Sequence, residues 1–216
     1  MSLTLTRRSY RSRLNVKLVG LVTLIVISCY VLITASAPAI IGSQLVRELT
    51  ASRPVYGPAV SKTDTVYLPS IGVSIPIVPV AGGNEDAALE NGAIHRSPNS
   101  GSPKSGGNYV LAAHRFSMRL TPAETVKQSP LYNLNYVRRG DSIVVDHSGS
   151  RYEYVVVKKH TVHVSNVEIE QSTRKPQLTL YTCELSGSKS GRDVVVAVPK
   201  AIYMANMNYT PDYIDS

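Results

Sequence analysis

Near the C-terminal end of this 216-residue chain, two β-prone runs carry side chains able to do chemistry together. Leu178-Thr179-Leu180-Tyr181-Thr182-Cys183 is apolar and ends in a thiol, while Arg192-Asp193-Val194-Val195-Val196-Ala197-Val198 opens with a guanidinium. Glu184 to Gly191 read as a polar loop between them. Paired as an antiparallel hairpin, the runs set Cys183 opposite Arg192, with Cα atoms ~4.5–5.5 Å apart. A thiol beside a fixed positive charge is biased toward the thiolate, its reactive form. Lys189 is the alternative cation, but the rigid fork of guanidinium donors favours Arg192.

A thiol nucleophile also needs a proton carrier and a stabiliser for the tetrahedral anion. Of the five histidines, His114 closes the apolar strand Tyr109 to His114, where an interior gives way to a groove. The bland reading is a strand-end histidine satisfied by its neighbours. His95 is a weaker candidate for the same groove, and His147 reads as a solvated turn residue. His160 and His163 are three apart in an extended stretch, so they point to opposite faces and do not share a metal. No HExxH, CxxC or DxDxDG pattern occurs. The sequence predicts neither structural zinc nor any other metal.

The elements that must hold these residues are short. Val66-Tyr67-Leu68, Val73-Ser74-Ile75 and Ile77 to Val80 are β-like pieces broken by prolines. Asn84 to Asn91 reads as a short helix capped by Asn84, and Ser97 to Asn108 as a surface loop. Thr121 to Lys127 is a second short helix, followed by Leu131 to Tyr136. Ser142 to Asp146 and Tyr152 to Lys158 form a hairpin turned at His147 to Ser150, continued by Thr161 to Val164. About eight short strands with turn signals between them predict an all-β chain closed, or nearly closed, into a barrel.

Length suffices for one such domain and an appendage. The formal charge is +8, but Arg7, Arg8, Arg11, Arg13 and Lys17 supply much of it before residue 18. No basic stripe or stacking-aromatic pattern marks the domain, which argues against nucleic-acid binding. From Leu18 to Val46 there is no charged residue. Leu18 to Ile33 is almost wholly apolar and extends through Ile41, near the ~20 residues that span a bilayer. The basic flank puts the N-terminus inside and the domain outside. A cleaved signal peptide is the rival reading: Ala35-Ser36-Ala37 fits a cleavage site, though Pro38 would hinder the cut. The expected organisation is a basic cytoplasmic tail (1–17), a membrane signal anchor (18–41), an extracytoplasmic stalk (42–63), a β-barrel domain (64–203) and a C-terminal tail (204–216). Only two cysteines exist, and Cys29 lies in the apolar segment. Cys183 therefore has no disulfide partner and is either inert and buried or present for chemistry.

Thr179-Leu180-Tyr181-Thr182-Cys183 resembles the TLxTC signature of sortases, cysteine transpeptidases that attach proteins to cell walls or join pilin subunits. Gly107-Asn108-Tyr109-Val110-Leu111-Ala112-Ala113-His114-Arg115 resembles the segment around their histidine. Gly140-Asp141-Ser142-Ile143, Tyr152 to Val156, and Arg192 leading a Val-rich strand extend the resemblance from about Val66 to Pro199. Ala113 stands where glycine is usual, Glu184-Leu185 where many members have proline, and Asp193 where an apolar residue is usual.

The resemblance implies a sortase-like barrel in which Cys183 attacks an LPxTG-like sorting signal. His114 serves as acid and then base, and Arg192 contacts the substrate carbonyl or oxyanion. Thr182, Ala113 and the Glu184 backbone N–H are further candidate contacts. It implies no cofactor. The partners it implies are exported proteins bearing a C-terminal sorting motif and an amine acceptor, from a cell-wall precursor or a pilin. Other classes stay open: an anchored β-barrel binding module with an incidental thiol, or a thiol peptidase that only hydrolyses. Histidine before cysteine is opposite to the papain-like order, and no SHGC pattern of cysteine L,D-transpeptidases is present.

Overall fold

The structure, a computed structural model, describes residues 5–51, 63–185 and 187–201. Residues 5–15, 42–51, 184 and 187–189 are described in their backbone alone. Half of the stalk (52–62), the last two residues of the expected domain (202–203) and all of the C-terminal tail (204–216) lie outside the described residues.

Among the described residues, nine strands follow a long helix. They are β1 Thr65–Leu68, β2 Val73–Val78, β3 Ala93–His95, β4 Gly101–Ser102, β5 Gly106–Ala112, β6 Ser142–His147, β7 Ser150–Val162, β8 Gln177–Glu184 and β9 Gly187–Pro199. The sheet order is β3-β2-β1-β6-β7-β9-β8-β5-β4, and β3 pairs again with β5. That last pairing closes eight strands into a barrel and leaves only β4, a two-residue strand on β5, outside the ring. Closure removes the exposed edges that an open sheet of this size would present.

The barrel is apolar on both sides over β5, β8 and β9, which is why these strands read as unbroken apolar runs rather than alternating ones. Tyr109, Leu111, Leu178, Leu180, Val195 and Ala197 fill the interior. Val110, Ala112, Tyr181, Val194, Val196 and Val198 form a second, outer core. It includes Ile169, from the helical turn Val167–Glu170, and Ala88 of the helix α2, Glu85–Leu89. Burying each Val or Leu side chain contributes about 1.5–3 kcal/mol before entropy is charged.

Local signals set the connections. The Asn84 side chain accepts from Ala87 N–H and starts α2. Thr121 and Glu124 form a reciprocal capping box at α3, Pro122–Lys127. The β6–β7 turn is tighter than the four residues read from the sequence. Ser148 (φ 51°) and Gly149 (φ 76°) alone make it, both left-handed, as the strand twist of a two-residue hairpin requires.

Leu131 to Tyr136, which the sequence left without a type, contains a short helical turn, Leu134–Tyr136. Three expectations need correction. Asn108 is no surface-loop residue: it is fully buried, because β4 folds back on β5 and Gly107 (φ 76°) lets the chain pass close to Ser100. His147 is not simply solvated, since its Nδ1 lies 2.5 Å from Asp64 Oδ2. The polar stretch after Cys183 is no eight-residue loop. Backbone pairing continues through Glu184↔Gly187, past a register shift after Cys183↔Arg192.

The long helix, α1 (Leu5–Ala51), continues through Pro38. Residues 42–51 of the stretch read as a stalk are thus helical. Within α1, Val16–Ile41 is long and apolar enough to cross a membrane. Its C-terminal end, where Thr34 and Ala37 are buried, rests on α3 and on the turn Pro69–Ile71.

Candidate active site

Period-two alternation along β5, β8 and β9 decides which side chains meet. Leu111, Leu180 and Val195 turn into the barrel. Ala112, Tyr181 and Val194 turn outward. Continued past the strand ends, the alternation sends His114, Cys183 and Arg192 outward, and Ala113, Thr182 and Asp193 inward. The three outward side chains line one cleft of about 540 Å³, walled also by Leu89, Arg96 and Phe116.

Backbone register holds them together. Cys183 and Arg192 are direct partners across β8–β9. His114 and Cys183 each lie two residues beyond the parallel pair Ala112↔Tyr181. Ala113 N–H donates to the Tyr181 carbonyl (3.3 Å), carrying the β5–β8 ladder one step past the end of β5. Cys183 is half-buried. The Arg192 guanidinium donates through Nη1 to its neighbour's carbonyl, Gly191 O (3.0 Å), which holds its stem at the cleft wall.

The His114 imidazole keeps one ring nitrogen unspent at the cleft. Its Nε2 is buried and makes no hydrogen bond among the described residues. Burial lowers its pKa below the ordinary imidazole value, and the Asp86 carboxylate pulls it part of the way back. A second carboxylate, Glu90 Oε1, lies 3.6 Å from Nε2, but Glu90 is also engaged by Arg119, which offsets its charge. On balance the setting favours the neutral imidazole.

The inward residues do different work. Thr182 Oγ1 donates to the Ala113 carbonyl (2.7 Å), tying the strand ends of His114 and Cys183 to each other. Its proton is thus committed to the scaffold. The Glu184 side chain lies outside the described residues, as does that of Lys189; the Glu184 backbone ends β8. His95 does not reach the cleft. Its ring packs edge-on against Tyr109, centroids 4.6 Å apart, beside the closing β3–β5 pair.

One structural pair was missed in the sequence. Arg115, only 4% exposed, donates through Nη1 to Asp193 Oδ2 (2.9 Å). Asp193 Oδ1 accepts from Thr161 Oγ1 (2.8 Å). The carboxylate next to Arg192 is thus occupied by the guanidinium next to His114, and the ion pair straddles β8 beneath the cysteine. The signal was present: an unexpected acid beside one candidate and a base beside the other. A second network anchors the outer wall. Tyr181 donates to Glu170, which also pairs with Arg96, and Arg96 in turn pairs with Glu85.

Comparison with known proteins gives this arrangement a family. The Sortase domain model matches residues 66–200. YwpE, a candidate sortase of Bacillus subtilis (strain 168), is 29% identical over 89 residues, which is 41% of this chain and 79% of YwpE. Sortase A from Corynebacterium diphtheriae superposes with a TM-score of 0.50 at 22% identity, over 67% of this chain and 62% of that one. Sortase C1 of Streptococcus agalactiae, in complex with MTSET, superposes with a TM-score of 0.52 at 22% identity, over 72% and 84%. The chain belongs to the sortase family.

Proposed function

We propose that this sortase is a membrane-anchored cysteine transpeptidase that cleaves an LPxTG-like sorting signal and passes the acyl group to an amine. One observation carries the reading: adjacent strands β5, β8 and β9 deliver His114, Cys183 and Arg192 to one cleft, with the thiol and the guanidinium in direct register.

Each group has a step suited to its setting. His114, neutral in its buried site, takes the Cys183 proton as sulfur attacks the threonine carbonyl carbon of the signal. The carbonyl electrons move onto oxygen, where Arg192 supplies N–H donors. When the intermediate collapses, the C–N bond breaks, and the imidazolium gives its proton to the departing glycine amine. The thioester on Cys183 remains. An incoming amine then attacks it, His114 takes up the amine proton, and the thiolate leaves. No step requires a metal or organic cofactor.

The acceptor is a cell-wall precursor or a pilin lysine, and the donor is an exported protein with a C-terminal sorting motif. The domain organisation matches this role: a cytoplasmic basic tail, a single span within 18–41, and an extracytoplasmic barrel over 64–203. The exposed apolar run Val16–Ile41, preceded by the basic tail, supports that topology.

The test uses the full chain in detergent micelles with two peptides. An LPxTG peptide carrying an electrophile at the scissile carbonyl is expected to label Cys183, read by mass spectrometry. The plain peptide with a glycine-based or lysine amine is expected to yield ligated product. Absence of the adduct across related sorting motifs overturns the enzyme reading. Cleavage without ligation across several amines leaves a thiol hydrolase instead.

A further inference from the structure

The apolar helix and the barrel are joined beside the cleft. Tyr30 Oη of α1 donates to the Leu120 carbonyl (2.7 Å). Thr34 and Ala37, further along α1, are buried, and Pro38 lies against Val73 and Val126 of the barrel domain. Leu120 ends a segment that begins at Phe116, two residues after His114. In it Phe116 is 39% exposed, Met118 47% and Leu120 81%. These apolar side chains alternate with Ser117 and Arg119, whose backbone N–H groups are held by Ser129 Oγ (3.0 Å) and Thr125 Oγ1 (2.9 Å). The segment is therefore pinned while presenting its apolar side outward. Arg119, the one charge within it, is paired with Glu90.

Depth along α1 identifies what this apolar side faces. Within the apolar run, α1 is exposed from Val16 to Ile33 and is first covered by the barrel domain at Thr34, which limits its continuous lipid-facing length. Tyr30 lies three residues short of that limit, about 5 Å at 1.5 Å per residue. A backbone hydrogen-bonded to Tyr30 is thus carried to the depth where amphipathic segments seat between headgroups and acyl chains, ~5–10 Å. Water at that level would face three apolar side chains; lipid satisfies them.

We propose that Phe116–Leu120 is a membrane-docking segment that seats the rim of the cleft in the bilayer surface, so that the Cys183 cleft opens at the lipid boundary. The occupant is phospholipid, and Phe116, which also lines the cleft, joins the two surfaces. The proposal rests on the reading of Val16–Ile41 as a membrane span, and its test separates the two.

The chain has no tryptophan, so one introduced indole reports alone. Leu120→Trp, Met118→Trp and Val26→Trp are each made in the full chain and reconstituted into phosphatidylcholine–phosphatidylglycerol vesicles whose acyl chains carry bromine at shallow or deep positions. All three sites are exposed and accept the larger ring. The expected result is a blue-shifted emission from Leu120→Trp and Met118→Trp that is lost most with shallow bromine, and an emission from Val26→Trp lost most with deep bromine. Quenching of Val26→Trp with both loop reporters unquenched overturns the docking segment and leaves the anchor standing. An unquenched Val26→Trp overturns the anchor and the docking proposal with it.

Discussion

Strands β5 and β8 run parallel, and Asn108 at one end and His114 at the other are treated in opposite ways. At the upstream end Asn108 is opposite Gln177. Asn108 Nδ2 donates to the carbonyls of Ile169 (2.9 Å) and Gln171 (2.8 Å). Its Oδ1 accepts from Thr179 Oγ1 (2.7 Å) and Gln177 Nε2 (3.3 Å). Both donors and both lone pairs of the amide are used. At the downstream end the same strands release His114, with a buried and unbonded Nε2, and a half-buried Cys183 into a cleft. A buried polar group spent on its own chain fixes structure. One left unspent at a cleft is reserved for a guest. Substitutions at the two ends should accordingly separate turnover from stability.

The largest separation is expected from Cys183→Ala. Transpeptidation should fall to background with no thioester detectable, while the thermal midpoint stays near that of the parent. His114→Ala should follow with a loss of ~10²–10⁴-fold in kcat/KM, the usual range for a positioned acid–base group. Peptide cleavage assays and calorimetry on the same samples check both. Substantial turnover in Cys183→Ala would sink the covalent mechanism and with it the contrast between the ends.

Arg192→Lys comes next. One ammonium keeps the charge but loses the planar set of donors. A loss of ~10²–10³-fold in kcat is expected, as for removal of an oxyanion donor, with a smaller change in KM. A change confined to KM would instead mark Arg192 as a binding contact.

The ion pair between the ends sharpens the comparison. Arg115→Met strands the Asp193 carboxylate beneath β8. Breaking a buried pair costs ~3–5 kcal/mol, and Asp193, being a quarter exposed, points to the lower figure. Urea denaturation reads the loss. Asn108→Ala, at the upstream end, should cost about 1–3 kcal/mol for each partner left unsatisfied, with the turnover of the folded fraction unchanged. If Asn108→Ala lowers the turnover of the folded fraction as much as His114→Ala does, the two ends are not functionally distinct.

How much of this was legible depended on the range of the interaction. The Cys183↔Arg192 facing and most strands of the ring followed from local alternation and turn signals, which act within a few residues, whereas β3, whose pairing with β5 closes the ring, carried no such signal and was not read. The burial of Asn108 did not. Its neighbours Gly106 and Gly107 read as a loop, and only the return of β4 and the turn Val167–Glu170 enclose it. The role of Asp193 was also hidden. Beside Arg192 it stood out only as an acid where an apolar residue is usual, whereas its partner Arg115 is 78 positions away and meets it only once the barrel closes. The helix α1 was readable as an apolar run, but its seat against α3 depends on tertiary contacts that no periodicity announces.

The smallest effect concerns pH and again divides the molecule. Burial is the leading cause that lowers the pKa of His114 at the cleft, of His95 inside the closing β3–β5 pair, and of His160 on β7. A histidine whose folded pKa is depressed binds a proton more readily once unfolded. Its contribution to stability is therefore complete above the unfolded value near 6.5 and declines as pH falls from there through the folded value. The thermal midpoint should hold steady from pH 8 to about 7 and drop below about 6.5. His114→Gln should remove its own share of that drop and leave the shares of His95 and His160. In the parent, the His114 ring resonances should titrate below 6.5 by NMR, and Asp86→Asn should lower that midpoint further by removing the carboxylate that raises it. A midpoint unmoved by Asp86→Asn would mean that solvent screens this carboxylate at the cleft mouth, leaving burial alone to set the charge of His114.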